Sequence, residues 1–249
     1  MTMLTKDVAV CIRAVDYSET SQIVTLFARA TGKISAIAKG SKRPKSAFDG
    51  PIEIFSHGKI VFSSSNKENL ATLTEFEQQP SASRLRSNLF ALNCCLFGAE
   101  LLNSMTDDYD PHPGLFDSFI QLVQNTGDAK NESEMLALLI LFQLSLLKEV
   151  GLRPVLDTCV NCKTRYERRA TSDGFYFSSS ANGLICPDCE ANYQDKMALT
   201  KNAEACLANL KLLAGAQEKT LNEVERILIY HFTELLGHRP KMAKHILKR

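Results

Sequence analysis

Several features that would define an exported or membrane protein are missing from this 249-residue sequence. No uninterrupted apolar run reaches the roughly 18–20 residues of a membrane span. The longest candidate, residues 135–147, is interrupted by Gln143 and Ser145. The first residues also lack the basic segment and following apolar segment that a signal peptide requires. We therefore expect a cytoplasmic protein.

Motifs of common enzyme families are missing as well. The sequence contains no HExxH, GxSxG or GxGxxG, and the stretch around Gly40 lacks the first glycine and the Gly-Lys-Ser/Thr order of a phosphate-binding P-loop. The five histidines are scattered without the spacing of metal ligands. We predict that the protein is not an enzyme; a metal-dependent nuclease or hydrolase is the enzyme-class alternative.

What is present is an uneven distribution of charge. The formal net charge is only +1, with 45% hydrophobic and 23% charged residues, which is ordinary for a globular chain. Residues 1–60, however, carry nine Lys and Arg against five Asp and Glu, whereas residues 84–150 carry four against nine. This asymmetry predicts a basic binding surface near the N-terminus and an acidic helical segment after it.

The hydrophobic pattern predicts an α+β multidomain protein. Short β-rich runs with period-two alternation follow one another from Val8 to about Glu77, with no helix between them. Five strands in so short a segment favour a closed barrel over residues 1–80, an OB-fold with an SH3-like barrel as the alternative. Helical spacing of leucines then begins, and we predict a helical domain over residues 81–249, with helices near 135–150, 199–214 and 221–236.

Two CxxC pairs predict a metal site. Cys159 and Cys162 form the first pair and Cys186 and Cys189 the second, separated by a 23-residue spacer in which we expect a β-hairpin. Four thiolates suit tetrahedral Zn²⁺ and leave no open position, so the predicted zinc is structural. We place it in a module over residues 155–192, inserted in the helical domain. Reduced free cysteines, two disulfides or an iron site with the same ligands are the alternatives. Cys11, Cys94, Cys95 and Cys206 lack this spacing and are predicted to be buried hydrophobes.

A basic loop is the candidate nucleic-acid site. Four cations lie within seven residues of a Gly, Ser and Pro-containing loop, and three more come from the flanking strands and turn. Such a cluster can neutralise several phosphates at once, although it can also be only a solvated surface. The predicted contacts are Arg13, Arg29, Lys33, Lys39, Lys42, Arg43 and Lys45. Tyr17, Phe27 and Phe48 are candidates for stacking on bases, with a core position favoured for Phe27. Basic residues 237–249, and Arg165, Arg168 and Arg169, are further candidates.

Particular strings resemble the bacterial RecO family of recombination mediators. The most specific runs from Lys39 to Ser46 and is followed by Phe48 and Gly50. Asp16-Tyr17-Ser18-Glu19, Gly32-Lys33-Ile34-Ser35-Ala36, Leu156-Asp157-Thr158-Cys159, Gly183-Leu184-Ile185-Cys186-Pro187 and Tyr230-His231 are similar to other parts of that family.

The resemblance implies binding of single- and double-stranded DNA, annealing of complementary strands, and help in loading RecA onto DNA coated by single-strand-binding protein. It implies RecR and the acidic C-terminal tail of single-strand-binding protein as partners, and association with the nucleoid when DNA is bound. We expect the tail to bind an apolar groove rimmed by cations on the helical body. An RNA-associated or transcriptional zinc-ribbon protein, and a scaffold that binds only proteins, remain alternatives.

Overall fold

The structure, a computed structural model, describes residues 3–48, 50–64, 70–79, 85–165 and 174–247. Contacts between residues divide the chain into two units, Met1–Asp128 and Ala129–Arg249. The predicted domains divide it at residue 80 instead, and that boundary between folding domains stays a prediction. No described helix is long and apolar enough to cross a membrane.

Five strands form the predicted closed barrel in the first unit. They are β1 (Met3–Asp16), β2 (Gln22–Ala28), β3 (Gly32–Ala38), β4 (His57–Ser64) and β5 (Ala71–Gln79). Their order around the barrel is β1-β2-β3-β5-β4, with every pair antiparallel except β3 and β5. Closure leaves none of these strands as a free edge, and the OB-type prediction is confirmed.

Alternation along the strands fills the barrel. Leu26, Ile34, Ile60 and Phe76 point inward and are almost completely buried. The β-rich pattern predicts one strand from Ile52 to Ser63, but the first residues of this run form a turn, and β4 starts only at His57. Ile52 and Phe55 are buried in this turn, and Phe55 has a φ of 70°. Burial in a turn therefore produced the same apolar pattern as a strand.

Two helices complete the first unit, α1 (Leu89–Met105) and α2 (Pro113–Asp128). Asn88 caps α1, because its side chain accepts from the Ala91 N–H. Ser81, Ala82 and Ser83, which the sequence offers as a helix cap, lie outside the described residues. Helix α2 packs on the barrel through two aromatic contacts, Phe116 with Phe27 at 6.5 Å and Phe119 with Phe55 at 6.2 Å between ring centroids.

The second unit contains α3 (Glu132–Glu149), α4 (Lys201–Ala208) and α5 (Glu218–Leu236). The single helix predicted near residues 199–214 is wrong. Helix α4 ends at Ala208 and a 3-10 helix, Leu210–Gly215, follows, because the Asn209 side chain accepts from the Lys211 N–H and starts the new turn. Helix α3 is buried nearly all round, as predicted.

The cysteine segment carries a small three-stranded sheet. Strand β6 (Tyr176–Ser178) pairs with β7 (Gly183–Ile185) as the predicted hairpin and with β8 (Met197–Ala198) on its other side. Residues 166–173 of the spacer, including Arg168 and Arg169, lie outside the described residues, as do Lys248 and Arg249.

Candidate nucleic-acid interface and metal site

The basic loop, residues 39–46, lies against the turn that joins β1 to β2. Lys42 N–H donates to the Thr20 carbonyl at 3.1 Å, and Gly40 N–H donates to Ser21 Oγ at 3.2 Å. The turn also carries Tyr17, whose side chain is 64% exposed. An exposed aromatic ring and a run of cations are thus brought to one end of the barrel by hydrogen bonds between two segments that are distant in sequence.

The side chain of a buried glutamine, Gln22, holds the base of this loop by hydrogen bonds. Gln22 Oε1 accepts from Ser41 Oγ at 3.0 Å and from the Ile52 N–H at 2.8 Å, while Gln22 Nε2 donates to the Ile52 carbonyl at 3.2 Å. Ser41 and Gln22 are both buried, so these bonds form in an environment where leaving them unmade would be costly. The loop is therefore held at its base while its charged side chains face solvent.

Four of the seven predicted phosphate contacts have exposed side chains, three on the basic loop and one on strand β1. Arg13, Lys39, Arg43 and Lys45 form no ion pair with any residue that the structure describes. Of the aromatic candidates, Phe48 is buried in the barrel core and Phe27 is buried beneath helix α2, so neither can stack on a base in this conformation, which leaves Tyr17. We call Tyr17 and these four cations the basic surface.

The other predicted contacts already have acidic or carbonyl partners. Arg29 forms a two-bond pair with Asp117 of α2, at 3.0 and 2.9 Å, and Lys42 Nζ lies 2.8 Å from Asp16 Oδ2. Asp117 holds the pKa of Arg29 above its usual value, mainly through this hydrogen bond. Both pairs are at least partly exposed, where an ion pair contributes only about 0–1 kcal/mol.

Lys33 holds the end of helix α1. Its Nζ donates to the Asn103 carbonyl at 2.8 Å and to the Thr106 carbonyl at 2.6 Å, and only 13% of its side chain is exposed. A cation at a helix C-terminus satisfies carbonyls that have no partner in the helix. The neighbouring Gly32 has a φ of +83°, and a Cβ there would lie 2.2 Å from the Asp110 carbonyl oxygen. The Gly-Lys pair thus has a structural role that its sequence context did not reveal.

The four predicted metal ligands come together. The Sγ atoms of Cys159, Cys162, Cys186 and Cys189 all lie within 4.8 Å of one another. Sulfurs about 2.3 Å from a tetrahedral Zn²⁺ would be separated by roughly 3.8 Å. The 3.5 Å between Cys162 Sγ and Cys186 Sγ is close to that value, so the geometry and the donor set fit a metal ion.

Hydrogen bonds orient the sulfurs of this cluster. Asn161 Nδ2 donates to Cys189 Sγ at 3.2 Å, and the Cys186 N–H donates to Cys159 Sγ at 3.4 Å. The Thr164 hydroxyl, 3.2 Å from Cys162 Sγ, lowers the pKa of that thiol. Donors of this kind favour thiolates, which is the form that binds a metal.

His231 ties the cysteine module to helix α5. Its Nδ1 lies 2.8 Å from Ser179 Oγ in the β6–β7 turn, and its ring packs edge-on against Phe177 at 5.3 Å. Burial lowers the pKa of His231 to about 4, so the ring stays neutral near pH 7. The Tyr230-His231 pair has no catalytic partner in the sequence and is predicted to be packed rather than reactive, which is confirmed for the fully buried His231. Its serine partner is 52 residues away, and no local pattern indicated it.

A groove of about 680 Å³ lies in the second unit between α3, residues 153–157 and α4. Leu141, Leu144, Leu207 and Leu210 line it, and we call it the leucine groove. Lys148 and Arg153 also line this groove and add positive charge, against the single acid Asp157. The sequence predicted an apolar groove with basic groups on the helical body but could not name its residues.

The structure defines a class of protein with two parts. The first is a closed OB-type barrel with an exposed basic loop, and the second is a helical unit that carries a four-cysteine cluster fit to bind a metal ion. Comparison with protein families identifies the member of that class. Residues 1–81 match "Recombination protein O N terminal" and residues 86–244 match "Recombination protein O C terminal". The chain belongs to the RecO family.

Curated relatives cover most of the chain. A protein named "DNA repair protein RecO" from Bacillus pumilus (strain SAFR-032) is 29% identical over 242 residues, which is 94% of this chain and 90% of that protein. The relative of the same name from Bacillus subtilis (strain 168) is 32% identical over 75% of this chain and 69% of its own. That from Rhodopirellula baltica is 31% identical over 81% and 73% respectively. Family membership assigns the chain a role in DNA repair.

Proposed function

We propose that the chain is a recombination mediator that binds single- and double-stranded DNA, anneals complementary strands and helps RecA load onto DNA coated by single-strand-binding protein. The observation that carries this proposal is the basic surface, with four cations that have no described ionic partner beside the exposed ring of Tyr17. The anchored loop presents Lys39, Arg43 and Lys45 without a large cost in ordering its backbone. The family's role in DNA repair supports DNA as the ligand.

The proposed mechanism is electrostatic. Phosphates bound by the four cations release condensed counterions, and the neutralised backbone repels a complementary strand less. For single strands, each phosphate contact contributes about −0.7 to the slope of log affinity against log salt concentration, so four contacts give a slope of roughly −3. Stacking of one base on Tyr17 would add affinity with little dependence on sequence.

The remaining three predicted contacts differ in how readily they could bind a phosphate. Arg29 and Lys42 can exchange a carboxylate for a phosphate, because exposed ion pairs are weak. Lys33 would have to abandon two carbonyls at the end of α1, so we assign it to holding the helix rather than the DNA. The contact set therefore centres on Arg13, Lys39, Arg43 and Lys45.

We assign Zn²⁺ to the four-cysteine site, with a structural role. Cys159, Cys162, Cys186 and Cys189 would fill all four positions and leave none for an activated water. The metal would hold the two CxxC turns together, while the hairpin itself docks on His231 through Ser179. No catalytic step is assigned to any residue, which is consistent with a cytoplasmic, nucleoid-associated binding protein.

The leucine groove is our candidate site for the C-terminal tail of single-strand-binding protein. Leu141 and Leu210, both exposed, offer apolar surface for aromatic or aliphatic side chains, and Lys148 and Arg153 suit the tail's acidic groups. RecR is the second proposed partner, and we assign no surface to it.

Fluorescence anisotropy of a labelled single-stranded oligonucleotide, measured at several salt concentrations, tests DNA binding. The loop variant, Arg43→Ala with Lys45→Ala, removes two proposed contacts. We expect weaker binding and a salt slope that is shallower by about 1.4, at about 0.7 per contact. A matched control, Lys6→Ala with Lys59→Ala, removes two exposed charges from strands β1 and β4 and should retain the wild-type slope.

Equal slopes for the wild type and the loop variant would contradict the proposal. Comparable affinity for structured RNA, together with an absence of strand annealing, would favour the RNA-associated alternative.

A further inference from the structure

The four cysteines of the metal site differ in their access to solvent. Cys159, Cys186 and Cys189 are buried, whereas Cys162 is exposed. A small electrophile in solution therefore meets the sulfur of Cys162 before the other three. Susceptibility of cysteine to oxidation follows exposure together with thiolate character, and a metal-bound cysteine is a thiolate.

Hydrogen bonds also influence the reactivity of these sulfurs. The buried Cys189 sulfur receives the amide of Asn161, and the buried Cys159 sulfur receives the Cys186 N–H. Cys162 Sγ lies 3.2 Å from Thr164 Oγ1, and the hydroxyl donates to the sulfur when this is a thiolate. Such a donor withdraws electron density from the sulfur and slows its attack on an electrophile. Thr164 thus moderates the reactivity of the one exposed ligand of the four.

Cys186 lies close enough to Cys162 for the two sulfurs to form a disulfide after a small movement. Cys186 Sγ is 3.5 Å from Cys162 Sγ, and the two residues belong to different CxxC turns. A disulfide between them needs the sulfurs to approach to about 2.05 Å, a movement of roughly 1.5 Å. It would remove two of the four ligands from the metal.

We propose that Cys162 is the peroxide-reactive ligand of this site, and that its oxidation forms a disulfide with Cys186 and releases the metal. The inference rests on the proposed zinc site. In the first step the Cys162 thiolate attacks hydrogen peroxide; an S–O bond forms, the O–O bond breaks and hydroxide leaves. The Cys186 thiolate then attacks the sulfenic sulfur; the S–S bond forms, the S–O bond breaks and a second hydroxide leaves. The two thiolates lose two electrons and the peroxide gains two.

Release of the metal in this way should be local and reversible. The β6–β7 hairpin keeps bonds that do not depend on the metal, namely Val160 N–H to the Leu184 carbonyl and Ser179 to His231. The hairpin can therefore stay docked while the CxxC turns lose their common ion. Reduction by a thiol should restore all four ligands, and added zinc should then rebind.

The test uses the full-length protein, with its zinc content measured first. One equivalent of hydrogen peroxide is added, released zinc is followed with a colorimetric chelator, and free thiols are blocked before peptide mapping by mass spectrometry. We expect one zinc released per Cys162–Cys186 disulfide. Cys206, which is buried and outside the cluster, should stay reduced and serves as an internal control.

Two variants that retain every ligand sharpen the test. Thr164→Val removes the hydroxyl beside Cys162 and should speed zinc release by about fivefold, since hydrogen bonds to charged groups are among the stronger ones. Asn161→Ala removes a donor to buried Cys189 and should leave the rate within about twofold of wild type, with Cys162 still oxidised first.

Zinc release while Cys162 remains reduced, a first disulfide without Cys162, or equal rates for the two variants would overturn the inference and leave the zinc assignment intact. A protein that carries no zinc before peroxide is added would overturn the zinc assignment and this inference together, without bearing on DNA binding.

Discussion

The carboxyl of Glu225 in helix α5 should make the stability of the second unit depend on pH, because it is fully buried against helix α3. Gln143 Nε2 donates to Glu225 Oε1 at 2.9 Å, while Glu225 Oε2 has no hydrogen-bond partner among the described residues. Burial raises the pKa of this carboxyl to about 8. Below that pH the folded chain holds the group as a neutral acid.

This pKa links stability to pH with a definite sign. An unfolded glutamate has a pKa of about 4.3, so the folded state binds the proton more tightly. The stabilisation is fully present below the unfolded pKa and is lost as the pH rises towards the folded pKa. The slope approaches about 1.4 kcal/mol per pH unit, and the loss between about pH 4 and pH 8 is on the order of 3–5 kcal/mol.

The substitution Glu225→Gln keeps the shape and the acceptor for Gln143 but removes the titration. We expect the free energy of unfolding of the wild type to fall between pH 5 and pH 8, while that of the variant stays nearly constant and exceeds the wild-type value at pH 8. Chemical unfolding followed by circular dichroism at several pH values measures this. Glu234→Gln, an exposed change on the same helix, is the control and should alter stability by less than about 0.5 kcal/mol. Parallel pH profiles for the wild type and Glu225→Gln would show that the folded protein does not hold Glu225 with a raised pKa.

Three further predictions concern the barrel, the metal and the groove. Lys33→Ala should destabilise the protein by about 1–3 kcal/mol in thermal unfolding, because two α1 carbonyls lose their donor, yet leave the salt slope of DNA binding unchanged. Removal of the metal by a chelator should increase hydrogen exchange in the two CxxC turns and leave exchange in the β6–β7 hairpin and the barrel strands nearly unaltered. Lys148→Glu should weaken binding of an acidic C-terminal tail peptide by about tenfold in calorimetry without changing the melting temperature, since Lys148 is exposed.

The sequence was sufficient for features that depend on local patterns. Period-two alternation predicted the closed barrel, because each strand buries one face in the same core. The CxxC spacing predicted which four sulfurs meet, because a knuckle turn fixes two of them at once. It also predicted the hairpin between the two pairs, although the strands are only three residues long.

Features that depend on partners distant in sequence could not be predicted from the sequence. The structural role of Lys33 depends on the end of α1, which lies some 70 positions further along the chain, and nothing in the local sequence indicates that contact. His231 needed Ser179, and Gln22 needed Ser41 and Ile52, and no local spacing relates these pairs. Helix α4 ends before Asn209, although the apolar residues keep helical spacing beyond it. The Asn209 side chain accepts from the Lys211 N–H, which starts a new turn.

We propose above all that the basic surface makes this chain a mediator of strand pairing. The most direct measurement is the rate at which two complementary oligonucleotides, each coated with single-strand-binding protein, anneal in the presence of the protein, followed by fluorescence energy transfer. We predict that the wild type and the Lys6→Ala, Lys59→Ala control accelerate annealing equally, and that the Arg43→Ala, Lys45→Ala loop variant loses most of the acceleration at moderate salt. No acceleration by the wild type, or an unimpaired loop variant, would contradict the account.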